Sequence, residues 1–317
     1  FKDDKIKYGI NARVMLNKKN RFIVSLGNRR DVEQIGVSLT TSNDVLGRSF
    51  ASSSFFSSGT NNKLTNVNLT NLGFEIEPVK NLVFESSFSY RTLSSASSEF
   101  KLDYFTDNSY TSTSNKITQS EVNFLVNYTP KRKMVGYGVD RIDVDLNYPR
   151  IFVSYSQGLK GVFDSDFNYS KLQLYYRQPL LIGGFGRLFS TLEIGKTFGA
   201  VPLSLMGIIP GNQSYFIIDN TYNLLNYYDF VADQYTSLHL EHNFNGKLFA
   251  RVPLLRKLNW REIIGVKAVY GSVSDENIAL NASGQSYQAP VNGYYEYSAG
   301  IGNIFKVMRI DGAWRGS

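Results

Sequence analysis

Hydrophobic and polar residues alternate along this chain in segments of about ten residues, and such segments recur from one end to the other. In IKYGINARVML, Ile6, Tyr8, Ile10, Ala12, Val14 and Leu16 fall on one face, while Lys7, Gly9, Asn11 and Arg13 take the other. After NKKN the scheme resumes with Phe22, Val24 and Leu26. LVFESSFSYR sets Phe84, Phe88 and Tyr90 against Glu85, Ser87, Ser89 and Arg91, and EVNFLVNY sets Val122, Phe124, Val126 and Tyr128 against Glu121, Asn123 and Asn127. A period of two over such lengths marks strands with one apolar and one polar face. The pattern predicts twelve or thirteen of them, near 6–16, 21–29, 33–40, 64–77, 82–92, 119–129, 149–157, 167–178, 187–198, 234–245, 260–271, 293–303 and 306–316. In VNLTNLGFEIE the apolar set moves from Val67 and Leu69 to Leu72, Phe74 and Ile76. One inserted residue produces such a shift, so a bulge is expected near Thr70–Asn71.

The polar face separates a membrane barrel from a soluble sandwich. A sandwich turns that face to bulk water and tolerates much Lys and Glu. Here Ser, Asn, Gln and Gly surround isolated charges: Lys171 and Arg177, Arg187 and Glu193, His239 and Glu241, Lys267 and Glu296, Arg309, Asp311 and Arg315. Such residues are expected to line a hydrated lumen, where charges on adjacent strands can pair. Tyr90, Tyr128, Tyr176, Tyr270 and Trp314 lie on the apolar face toward strand ends, where an aromatic girdle meets a lipid–water interface. Connections such as NKKN, EPVKN, IGGFG and GNIF are tight, whereas 41–62, 94–117 and 274–292 are long and polar. Short turns at one end and long loops at the other fit a transmembrane antiparallel β-barrel with its long loops outside the cell. An all-β sandwich with ragged loops is the alternative.

Composition agrees with interleaving. Of 317 residues, 42% are hydrophobic, yet the mean hydropathy is only −0.22. No run of about 18 apolar residues offers a transmembrane helix. Cysteine is absent, which removes disulfides and thiolate chemistry. The net charge of +7 comes without a Lys/Arg cluster or recognition helix, so nucleic acid is not an expected partner. FKDDKIKYG opens without Met or leader, as if within a longer precursor; an even strand count places further strands before Phe1 or, alternatively, removes 33–40 to leave twelve.

Candidate chemistry is sparse. The two histidines, His239 and His242, are three apart on one strand and point to opposite faces, so they cannot chelate one metal from it. Ser237 and His239 share a face about 6–7 Å apart by strand rise, too far for easy pairing, and read as polar lumen residues. GGFGR at 183–187 lacks the following helix of a phosphate loop and reads as hairpin-turn glycines. RVPLLRKLNWRE, 251–262, is a basic and apolar connector. Its cations and Trp260 suit either an interface anchored on anionic headgroups or an ordinary turn. No catalytic residue, metal or small-molecule cofactor is expected.

The C-terminal half also resembles a known family. YPRIFVSYSQGLKGVFDSDFNYSKLQLYYRQ, GRLFSTLEIGKTFGAVPL, IIPGNQSY and NYYDFVADQYTSLHLEHNFNGKLFARVPLLRKLNWREIIGVKAVYG are similar to a Bacteroidetes-type outer-membrane family. Its members carry an N-terminal carboxypeptidase-regulatory-like domain before a C-terminal barrel. That barrel in turn resembles the insertase superfamily of the BAM and TAM assembly barrels and two-partner secretion pores. The resemblance is close over 145–315. It implies a 16-stranded barrel in the bacterial outer membrane, of which this chain supplies the last twelve or thirteen strands. It also implies a long loop that folds into the lumen before the last four strands. The superfamily loop ends in an Arg-Gly-aromatic tip; here the equivalent is Gly211-Asn212-Gln213-Ser214-Tyr215, with no Arg.

These expectations converge on IIPGNQSYFIIDNTYNLLNYYDF, 208–230, which is too apolar for an exposed loop and too irregular for a lipid-facing strand. Pro210, Gly211, Asn212, Gln213, Ser214 and Tyr215 are expected to pack on the lumen wall, with Tyr222, Tyr227, Tyr228 and Phe230 near the extracellular mouth. Three functions fit: a cofactor-independent assembly or translocation barrel, a solute channel or receptor, and a structural barrel subunit of a larger complex. Expected partners are outer-membrane lipids and other outer-membrane or periplasmic proteins.

Overall fold

A computed structural model describes residues 6–33, 63–107, 109–144, 147–212 and 217–316. Apart from Glu33, the strand expected at 33–40 lies outside them, as do the loop 41–62 and Gln213, Ser214 and Tyr215. Twelve strands form one antiparallel sheet in simple sequence order. They are β1 (Tyr8–Asn17), β2 (Phe22–Glu33), β3 (Thr65–Val79), β4 (Leu82–Ser95), β5 (Lys116–Tyr128) and β6 (Arg150–Gly158). The remaining six are β7 (Tyr169–Leu181), β8 (Arg187–Phe198), β9 (Gln234–Asn243), β10 (Arg261–Ser272), β11 (Tyr294–Ile304) and β12 (Met308–Arg315). The edges β1 and β12 are not paired with each other among the described residues. The sheet is thus of the transmembrane barrel type, curled but with two open edges.

The period of two explains the curl. Ile10, Phe74, Phe124, Leu172, Ile264 and Ile310 remain exposed on the convex face. An apolar band this extensive exceeds what a water-facing surface carries and is stable against hydrocarbon. Concave-facing residues are buried by one another and by loops from distant strands.

No bulge interrupts Thr70–Asn71. The β2–β3 register runs unbroken from Ile23↔Glu75 to Glu33↔Thr65, and β3–β4 from Thr65↔Ser95 to Ile76↔Phe84. Val67 and Leu69 are instead buried on the lumen face while Leu72 and Phe74 are exposed on the other. The apolar set changes face because the upper lumen is itself apolar, not because the backbone slips.

That apolar region is a lid at the long-loop end. Phe100, Leu102 and Tyr104 from the β4–β5 connection meet Val201, Leu203, Met206, Tyr227, Tyr228 and Val231 from the β8–β9 connection, over Val67, Leu69, Leu93 and Ile117 of the wall. Tyr228 lies against Phe100 at 4.9 Å and Tyr227 at 4.5 Å. Its backbone is left-handed, at φ 66°, which costs about 1–3 kcal/mol. Burial of the ring, worth roughly 1.5–3 kcal/mol, offsets this, and the same burial pushes the phenol's pKa up. Asp233 fastens the lid by accepting from Ser274 N at 2.7 Å and Asn277 Nδ2 at 2.8 Å, while Asn277 Oδ1 accepts from Val201 N at 2.7 Å.

The opposite end is less uniform than its turns suggest. Two of its connections, 129–149 and 244–260, are long. The first folds a short hairpin, Met134–Val135 with Ile142–Asp143, beneath the lumen. Arg13 reaches its Asp140 at 3.0 Å, and Arg21 donates to the Gly138 and Val139 carbonyls. Glu77 accepts from Arg141 of the hairpin, and Asp143 joins Arg132 at 2.5 Å and Arg150 at 3.1 Å.

Neighbouring wall strands pack closely at Gly195, where a Cβ would lie 2.4 Å from the ring of Tyr235. Gly195→Val is therefore expected to lower stability by about 1–3 kcal/mol, read as a lower unfolding temperature in a heat-modifiability gel. Gly184→Ala, whose Cβ would meet only Lys247 Nζ at 3.5 Å, should leave that temperature unchanged.

Candidate functional site

The β8–β9 connection, 199–233, does more than roof the lumen. Its arms run together as a narrow excursion: Gly207–Ile208 pairs with Val231–Ala232, Ile209 N donates to Phe230 O, Tyr222 N to Pro210 O and Asn212 N to Tyr222 O. Gly211 is required at the close approach of these arms, because a Cβ there would fall 2.1 Å from the Leu225 carbonyl oxygen. From this stem, residues 219–224 descend into the lumen.

The wall that receives them is one continuous cross-strand row. Arg177 of β7 pairs with Thr191 of β8, Thr191 with His239 of β9, His239 with Lys267 of β10, Lys267 with Glu296 of β11, and Glu296 with Arg315 of β12. All six side chains share the lumen face because the register brings same-parity residues side by side. The loop lies across this row as a strap, perpendicular to the strands. Asp219 approaches Arg177 at 3.5 Å, and the Tyr222 ring packs edge-on to His239 at 4.8 Å between centroids. Lys267 Nζ donates to Thr221 O at 2.7 Å and to Asn223 Oδ1 at 2.9 Å. Glu296 accepts from Asn223 N at 2.7 Å, Leu224 N at 2.8 Å and Tyr294 Oη at 2.6 Å. Arg315 donates to Leu224 O at 3.3 Å. Five strand spacings measure about 24 Å along the wall, while six residues of extended chain span about 17 Å. The long side chains of Arg177 and Arg315 supply the remaining reach at the two ends.

Above the row, Tyr222 Oη lies 2.7 Å from both Ser237 Oγ and the Ala268 carbonyl. Tyr235 donates to Glu193 at 2.7 Å. Ser237 is thus engaged with the loop tyrosine, and His239 serves as a ring surface for it. His242, on the other face, contacts the Phe185 carbonyl at 2.9 Å.

The sequence placed Lys171, Arg177, Arg187, Glu193, His239, Glu241, Lys267, Glu296, Arg309 and Asp311 in the lumen, and all lie on that face. The structure gathers Arg177, His239, Lys267 and Glu296 into the strap row. Arg309 instead binds Glu241 and Asp311 as a separate cluster, at 2.8 and 2.6 Å. Arg187 turns to Asn147 and stacks over Phe189. Lys171 faces a chamber in the other half of the lumen. Pro210 and Gly211 are buried, and Asn212 is half-buried. Tyr227, Tyr228 and Phe230 pack in the lid region. Tyr222 is a correction: it sits below the mouth, at His239, because its hydroxyl finds acceptors there rather than water. Tyr270 and Trp314 are exposed on the convex face, with Trp314 stacked on Tyr297 at 5.8 Å. Tyr176 shares that face, opposite Ile151 near the start of β6. Trp260 is half-buried in the 244–260 connection. Thr221, Asn223, Tyr235 and Tyr294 were not singled out from sequence. Tyr294 and Glu296 share a face two residues apart, the one signal that marked this point of the wall.

The chamber beside the strap occupies about 700 Å³. Ion pairs line it: Arg29 with Glu33 at 2.7 Å, Arg13 with Glu75 at 3.0 Å and Arg91 with Glu121 at 3.1 Å. The lumen is therefore divided. The β7–β12 half is filled by the strap, and the β1–β7 half is open and charged.

Residues 1–283 match the family described as "Family of unknown function (DUF5686) C-terminal domain". Among solved structures, the chain is similar to BamA from Haemophilus ducreyi lacking POTRA domains 1–3, with 10% identity and a TM-score of 0.57. The alignment covers 97% of this chain and 58% of that one, so the chain spans under three-fifths of that BamA's length. The likeness to Pseudomonas aeruginosa OccK11 (OpdR) has a TM-score of only 0.28, at 10% identity over 98% and 89% of the two chains. No curated protein sequence matches the chain.

The carboxylate of Glu296 is the acceptor for two successive loop amides. Glu296→Ala should therefore cost about 2–4 kcal/mol through the orphaned donors and speed hydrogen exchange at Asn223 and Leu224. Lys171→Gln, in the open half, should leave that exchange unchanged. Equal protection in both variants would show that the strap is held elsewhere.

Proposed function

Because this chain belongs to the DUF5686 C-terminal domain family, whose description assigns no activity, we propose from its geometry that it is the barrel of an outer-membrane assembly or translocation protein. The observation that carries this is the strap: a loop before the last four strands docks inside the lumen along a single row from β7 to β12. A passive pore needs no such element in its path. A barrel that handles other chains benefits from a rigid half, held by the strap, beside a half that is free to deform. The BamA-type fold and the sequence resemblance to insertase barrels support the same reading. Outer-membrane localisation, an N-terminal carboxypeptidase-regulatory-like domain and client proteins of the outer membrane or cell surface belong to this proposal. The work it describes is exchange of hydrogen bonds between strands, which calls for neither a cofactor nor a catalytic residue.

A solute channel is the second reading, favoured by the charged chamber of about 700 Å³. Depletion of the intact protein separates the two. Under the assembly reading, a defined set of outer-membrane proteins or surface lipoproteins falls in abundance before growth stops. An allele carrying both Lys267→Met and Glu296→Gln should fail to restore them. An unchanged census, together with steady single-channel conductance in planar bilayers, would replace assembly with transport.

A further inference from the structure

The short-turn end of the sheet carries a basic and apolar rim under its C-terminal half. Under β7–β12 the three connections are 182–186, 244–260 and 305–307. The feet of neighbouring strands are bonded to them. His242 Nε2 meets the Phe185 carbonyl at 2.9 Å, and Asn303 Nδ2 donates to Asn259 O at 2.7 Å. Glu262 accepts from Phe244 N through its carbonyl and from Phe249 N through its carboxylate, which fixes the helical turns Phe249–Arg251 and Pro253–Arg256 at the strand's foot.

Two features of this rim go together. Its apolar side chains are exposed: Leu254 is 75% exposed, Phe305 84% and Val307 85%. They lie close to Leu180 and Met308, exposed residues at the ends of the apolar convex face. Among them stand Lys247, Arg251, Arg256, Lys257 and Lys306, all exposed. None forms an ion pair among the described residues. Residues 181–187, 244–261 and 305–308 contain no Asp or Glu at all. Unmatched cations therefore gather where apolar side chains emerge next to the lipid-facing wall.

We propose that this rim is a binding surface for anionic phospholipid, seated in the leaflet at the short-turn end. Leu254, Phe305 and Val307 enter the acyl boundary, and Lys247, Arg251, Arg256, Lys257 and Lys306 meet phosphate headgroups. Long Lys and Arg stems suit that boundary, because they cover apolar surface while keeping the charge in the headgroup layer. A water-facing rim would leave those apolar groups without cover, and a zwitterionic leaflet would leave the charge without a counterpart. The inference concerns the outside of the barrel and does not depend on the function proposed for its lumen.

The test uses the full chain in phosphatidylcholine bilayers containing spin-labelled phosphatidylglycerol or spin-labelled phosphatidylcholine as the probe. Lipid association is read from the motionally restricted fraction. The wild type should prefer phosphatidylglycerol several-fold. The surface variant Arg251→Gln/Arg256→Gln/Lys257→Gln should lose most of that preference while keeping its heat-modifiable folded form. Should the variant not fold, the wild type at 1 M salt serves instead, since screening at about 3 Å should erase the preference without any substitution. Equal association of the two lipids, or a preference that survives both the variant and the salt, would overturn the proposal.

Discussion

An irregular backbone inside a barrel must find every hydrogen bond from the wall, and this constraint organises the molecule. Within residues 219–224 the strap pairs by backbone at Tyr222, with the stem. Its neighbours are met by side chains that the sheet register places in one row: a carboxylate for two amides, an ammonium for a carbonyl, a guanidinium for another. Each comes from a different strand. A one-residue slip between any two strands would turn half of the row out to lipid and leave buried polar groups unmatched on both sides. Strap and sheet therefore specify each other, and the register of β7–β12 is fixed from inside as well as by its own pairing.

The two halves of the lumen are held by different forces. At the mouth, burial of Val201, Met206, Tyr228 and their neighbours is nearly complete and insensitive to salt. Below the chamber, the hairpin at 134–143 is tied by ion pairs whose members retain some exposure, and these are screened as ionic strength rises. The lid and the floor thus respond to different changes in conditions. The strap, in which Lys267, Glu296 and Arg315 each bond loop backbone, stands between them.

Much of the sheet was legible in the sequence because one physical signal repeats. Alternation of apolar and polar residues named the strands, and strand parity put Arg177, His239, Lys267 and Glu296 on the lumen face. What parity cannot supply is height. Whether His239 stands level with Lys267 depends on the lengths and conformations of 199–233 and 244–260, which no local pattern encodes. The row was therefore invisible, and so was the reason for Tyr222 to sit deep. The misplaced bulge has a related cause. Reading Val67 and Leu69 as lipid-facing assumed a polar lumen throughout, whereas the upper lumen is filled by the lid and selects apolar residues on that face. The hairpin beneath the chamber was missed for want of any long apolar run: it is fastened by arginines to carboxylates far away in sequence.

The magnitudes decide which part of the loop governs its movement. Hydrogen bonds between protein groups exchange for bonds to water in a wet lumen, so each strap contact contributes only about 0.5–1.5 kcal/mol, or about 1.5–3 kcal/mol where a charge takes part. Lys267 and Glu296 are also cross-strand neighbours. When the strap leaves, each still faces an opposite charge, which lowers the cost of departure further. The lid has no such compensation. Withdrawing Met206, Val201, Val231 and Tyr228 from their packing forfeits roughly 1.5–3 kcal/mol per side chain, with nothing regained from water. The strap therefore sets where the loop lies and in which register, while the apolar lid sets how rarely the whole loop departs. Tyr222, buried against His239 and Tyr294, couples the two, because strap and lid are carried on the one stem at 207–212.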